Sequence, residues 1–151
     1  MRRHALPQSK RYADTLEETK EILRRANTIG NVVFGERSDC WLVQACHFLD
    51  DEAIVDGLTY AFDYLDPSDA EEGSKAAIYA GRVQWSAGAF DSLFERIAND
   101  ETYSVIWISI ERGVVFAPYD GGFDVVFPTV REAQAFQSFR PEWRSVHESG
   151  W

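Results

Sequence analysis

Between Asp50 and Ser74 the chain has no lysine and no arginine. Other shortages run through the whole sequence. Cysteine occurs only at Cys40 and Cys46, on one apolar run. On a strand the two share a face but stand roughly 20 Å apart at ~3.3 Å per residue, too far to bridge. A disulfide framework is therefore excluded, and a reduced chain is expected. The histidines, His4, His47 and His147, fit no metal-ligand spacing, so no metal and no cofactor are expected. No apolar run approaches ~18 residues, which argues against a membrane-spanning helix. The basic start Met1-Arg2-Arg3-His4 has no apolar stretch behind it, unlike a signal peptide. A cytoplasmic protein is the expectation.

Catalytic signatures are missing as well. There is no GxSxG elbow, no GxxxxGK[ST] or GxGxxG loop and no HExxH pair. Cys46 and His47 are adjacent, so on a strand they point to opposite faces and cannot act as nucleophile and base together. Asp120 and Asp124 could face each other across a turn as acid and base. Turn chemistry alone also accounts for Asp120, with Gly121 and Gly122 supplying positive φ. Nucleic acid is an unsuitable partner: the formal charge is -10, and the bases cluster toward the two ends. The expectation is a protein that is not an enzyme.

The stretch without bases holds nine acids: Asp50, Asp51, Glu52, Asp56, Asp63, Asp66, Asp69, Glu71 and Glu72. That number nearly equals the whole net charge, so the negative field is concentrated in one window, which favours a cationic partner. Tyr60, Phe62 and Tyr64 are threaded through it. Acids set among aromatics suit a surface that holds a basic protein, with Tyr60, Tyr64 or Trp85 as anchors. A solvated acidic loop around a short strand fits the same residues.

At 151 residues with 45% apolar and 14% aromatic residues, the chain is read as one folded domain that buries its own core. Residues 1–13 are read as a basic, poorly ordered lead-in. Thr15 with Glu18 forms a capping box for a helix over 15–27, and Gly30 is placed as its left-handed stop. Val32–Phe34 is read as a short strand, residues 40–48 as a central strand, and 58–65 as a strand with Leu58, Tyr60, Phe62 and Tyr64 on one face. Residues 76–85 form another. Ser86 caps a helix over 87–99, whose Phe90, Leu93, Phe94 and Ile97 share a face. Residues 103–110, 114–116 and 123–127 make an antiparallel meander, and Thr129 caps a last helix. This order predicts an α+β domain: one twisted antiparallel sheet with helices mainly on one face.

The run Phe116-Ala117-Pro118-Tyr119-Asp120-Gly121-Gly122-Phe123-Asp124, with a helix and then Trp143, resembles a bacterial domain family of unknown function. That family typically carries Tyr-Asp-Asp-Arg-Gly-apolar-Asp here and opens with Arg-Tyr or Arg-Phe before a helix, as Arg11-Tyr12 does. This chain departs from the pattern, with Gly121 in place of the turn's Asp-Arg. Small acidic members of the family look like immunity proteins encoded beside toxins. The resemblance implies an immunity protein or antitoxin that blocks a cationic toxin domain, a nuclease by preference, through the acidic window. A general interaction module, or a small enzyme using Asp120 and Asp124, are the alternatives.

Overall fold

The structure is a computed structural model and describes residues 1–47, 54–65 and 75–144. Its strands are β1 (Arg2–His4), β2 (Asp39–Cys46), β3 (Thr59–Leu65), β4 (Lys75–Gln84), β5 (Val105–Ser109), β6 (Val114–Tyr119) and β7 (Gly122–Val126). Three helices accompany them: α1 (Leu16–Val33), α2 (Asp91–Ala98) and α3 (Val130–Gln137). The strands form one sheet in the order β1-β7-β6-β5-β2-β4-β3, with every neighbouring pair antiparallel. The α+β class read from the sequence is what the structure shows.

Strand periodicity decides which side of the sheet is packed. In β2, Cys40, Leu42, Gln44 and Cys46 are buried, while the alternate residues stay half-exposed. Leu42 lies opposite Trp107 of β5, and Trp107 opposite Phe116 of β6, so the buried rows run continuously across the sheet. Ile22, Ala26, Ile29 and Val33 of α1, with Leu93, Phe94 and Ile97 of α2, close over that face. Thr15 caps α1 by accepting from the Glu18 amide at 3.2 Å, and Thr129 caps α3 by accepting from Glu132 at the same distance.

Three expectations are corrected. First, α1 does not stop at Gly30. It runs on to Val33, so Val32–Phe34 is no strand. Gly30 is needed for space: a Cβ there would lie 1.8 Å from the Trp85 ring. Second, α2 begins at Asp91, not near Ala87, because the Ser86 hydroxyl is spent on the Glu36 carboxylate. Third, the lead-in is not loose. β1 pairs with β7 in the register Arg2 to Asp124 and His4 to Gly122, Arg3 is fully buried, and Ala5 and Leu6 join the core. The Val125 amide donates to the Met1 carbonyl at 2.8 Å and Ala5 to Gly121 at 3.1 Å, so the basic start satisfies an edge that would otherwise be open.

Candidate functional site

Of the residues expected to hold a partner, Asp50, Asp51, Glu52, Asp66, Asp69, Glu71 and Glu72 lie outside the described residues. Asp56, Tyr60, Asp63 and Tyr64 are described, and all four are exposed. They belong to β3 or lead into it. β3 is an edge strand whose seven residues are all exposed, including Tyr60 at 57%, Phe62 at 55%, Tyr64 at 47% and Leu65 at 63%. Among the described residues it pairs only with β4, so its outer edge has no strand partner.

The expected single aromatic face is corrected by a bulge. Tyr60 faces Tyr79, but the register shifts and Phe62 then faces Ile78. Tyr79 lies opposite buried Gln44, whereas Ile78 lies opposite Ala45. Tyr60 therefore stands on the helix-covered side of the sheet, and Phe62 and Tyr64 stand on the other. The rings of Tyr60 and Tyr79 meet edge to face at 6.0 Å. Asp63 accepts from Lys75 at 2.7 Å, and that contact holds its carboxyl below the ordinary range. Partial burial, then Asp63, pushes the Tyr60 phenol up. Lys75 thus neutralises one acid of the strand, and Asp56 has no ion pair among the described residues.

Trp85 is not on this surface. It is fully buried where β4 ends, packed against Phe34 at 5.3 Å, Phe90 at 5.7 Å, Phe94 at 6.2 Å and Trp107 at 6.3 Å. Its indole N–H donates to Asn31 Oδ1 at 2.8 Å, so its single polar group is satisfied inside. Strand alternation places residue 85 on the helix side, where no partner reaches it.

The turn between β6 and β7 gathers charge that no single sequence window displays. Asp120 accepts from the Arg11 guanidinium and from the Tyr12 hydroxyl, the latter at 3.0 Å. The turn has no arginine of its own; Arg11 supplies one and lies 3.5 Å from where a Gly121 Cβ would stand. Asp124 pairs with Arg2 at 3.4 Å, and the Arg2 guanidinium lies 5.2 Å from the Tyr119 ring centre. Burial, then Asp124, pushes the Tyr119 phenol up to about 12, so it stays protonated. Gly121 and Gly122 do not take the positive φ expected of them. Gly122 is required because a Cβ there would meet the Arg3 carbonyl at 2.1 Å. The sequence signal for this cluster was Arg11-Tyr12 itself, whose distance from Asp120 in the chain hides the contact.

Two other features complete the survey. A groove of about 660 Å³ runs between the end of α1, the start of β6 and α3, lined by Val32, Arg112, Phe127, Phe136 and Phe139. Arg112 is already engaged, donating to the Val33 carbonyl at 3.3 Å. Cys40 and Cys46 are buried thiols, and burial lifts the Cys40 thiol to about 11, far from a reactive thiolate. Among the described residues there is no cluster of three or more potential metal ligands, and no helix is long and apolar enough to cross a membrane.

The chain belongs to the family described as Domain of unknown function (DUF3885), whose model matches residues 1–148. No curated protein and no solved structure matches it.

Proposed function

We propose that the protein is an immunity protein or antitoxin that binds a basic toxin domain, most naturally a nuclease, and blocks it. The observation that carries this reading is the bare edge strand β3, with Tyr60, Phe62, Tyr64 and Leu65 exposed in a sequence window with nine acids and no base between Asp50 and Ser74. Enzymes acting on nucleic acid are basic where they hold the phosphates. An acidic inhibitor meets them fast through steering and occupies the phosphate-binding surface. Exposed tyrosine and phenylalanine supply apolar area that a charged patch lacks. The enzyme alternative on Asp120 and Asp124 is less favoured, since each carboxylate is already held by an arginine.

The test has two steps. Affinity capture from the producing organism, identified by mass spectrometry, should return a basic protein. Its association rate is then measured across a salt series against Asp56→Lys combined with lysine at Asp66, Asp69, Glu71 and Glu72. The reversal should slow association at low salt, and the difference should shrink as the Debye length falls below about 10 Å above 0.1 M salt. An acidic partner, or an unchanged rate, would leave the chain a general interaction module.

A further inference from the structure

We infer that the partner is taken up by strand addition: an extended segment of a basic protein pairs along the outer edge of β3. This rests on the reading of the acidic window as a binding surface and adds the mode of binding. β3 presents backbone donors and acceptors along about 23 Å, at ~3.3 Å per residue, with no strand beyond it among the described residues. Such an edge is a template for another chain, and proteins that do not use it cover it, shorten it or place lysine on it. Among the described residues nothing covers the outer side of β3, the strand is seven residues long and it carries no lysine; its one edge feature is the bulge between Tyr60 and Phe62. At the opposite edge the molecule does cover its strand: Arg3 of β1 bridges to Arg144, and the buried Trp143 sits beside that contact.

The side chains fit the same mode. The bulge between Tyr60 and Phe62 sends aromatics to both faces of the sheet. An incoming strand alternates its side chains in the same way, so it would lay some on Tyr60 and others on Phe62 and Tyr64, giving grip on both sides of one backbone ladder. Charge decides the occupant. Two copies of this chain pairing through β3 would bring two acidic windows together, which like-charge repulsion opposes. A basic segment finds opposite charge in the sequence on either side of the strand and at Asp56.

The probe is a ten-residue peptide alternating lysine and valine. It is compared with the same peptide N-methylated on every amide, which keeps the charge and loses every donor, and with a glutamate–valine version. Hydrogen exchange of the β3 amides is followed by NMR on the full chain. The lysine peptide should slow exchange of alternate amides within residues 59–65 on the order of tenfold, and the other two should not. Equal binding by the methylated peptide elsewhere on the acidic surface would overturn strand addition while leaving the cationic-partner reading intact. Equal protection of β3 by the lysine and glutamate peptides would overturn the basic occupant, and no protection from either would overturn strand addition. A proline scan of residues 60–65 supplies the second arm. Variants that keep the wild-type melting temperature carry proline at an outward amide, and these should lose the lysine peptide; one that keeps both fold and peptide refutes the proposal.

Discussion

At one edge of the sheet β1 is three residues long and basic, with Arg3 buried and its neighbours half-buried; at the other, β3 is seven residues long, aromatic and exposed throughout. The basic edge is held by many separate contacts. Arg3 donates to the Phe136 carbonyl at 2.7 Å, with its guanidinium 5.0 Å from the Phe136 ring centre. Arg25 of α1 donates to the His4 carbonyl at 3.0 Å and lies 5.0 Å from the Trp143 ring centre. Asp120 and Asp124 tie Arg11 and Arg2 to the adjoining turn. At β3 the only ion pair among the described residues is Asp63 with Lys75. Charge at the first edge is consumed by several ion pairs and buried contacts; at the second, Lys75 answers Asp63, and Asp56 is exposed with no ion pair among the described residues. Residues at the first edge specify the structure, and those at the second are exposed and held by few contacts.

The largest effect should come from Trp85, which its position between the acidic window and α2 makes look like an interface anchor. Trp85→Ala removes the ring at the centre of an aromatic cluster and should cost about 3–5 kcal/mol, read as loss of the cooperative urea transition. A stable Trp85→Ala that only weakened partner binding would move it back to the surface. Next is Gly122→Ala, expected to cost about 1–3 kcal/mol because the Arg3 carbonyl cannot yield without β1 leaving its register. Its signature should be local, with faster amide exchange in β1 and in residues 120–126 and none in β3.

Glu21 sharpens the same contrast through pH. Its carboxyl is pulled down to about 2 from an ordinary 4.5, chiefly by the Arg24 guanidinium and also by Arg25, with burial opposing. The folded value lies below the unfolded one, so Glu21 contributes stability above about pH 4.5, and that contribution fades as the pH falls toward 2. The side chain is 25% exposed, and solvent screening keeps the contribution below what the full shift would give. Glu21→Gln should cost about 1 kcal/mol at pH 7 and match the wild type near pH 2, as read from urea midpoints. A pH-independent cost would show that packing, not charge, carries the effect. The smallest stability change belongs to β3: Tyr60→Ser and Phe62→Ser should each stay within about 0.5 kcal/mol of wild type while weakening the captured partner at least tenfold.

Much of this was readable from local pattern. Period-2 burial in residues 40–46, the spacing of Leu93, Phe94 and Ile97, and the caps at Thr15 and Thr129 are short-range signals, and the structure keeps them. What was not readable depends on contacts distant in sequence. Gly30 looks like a helix stop and is instead a notch for Trp85. Gly122 looks like a left-handed turn residue and instead makes room for β1. Residues 1–13 look loose because their basic residues show no core pattern, yet Arg2 and Arg3 find partners more than a hundred positions away, at Asp124 and Phe136. In the acidic window the strand was readable and the orientation of its side chains was not, because a one-residue bulge moves Phe62 and Tyr64 to the face opposite Tyr60.

The most direct test is an amide-exchange footprint of the chain bound to the partner captured from its own organism. Protection should concentrate in residues 54–65, with residues 2–4 and 119–124 exchanging as they do in the free protein. Protection centred on Arg11, Tyr12 and residues 119–124, with β3 unchanged, would contradict the account and make the charged turn the binding surface.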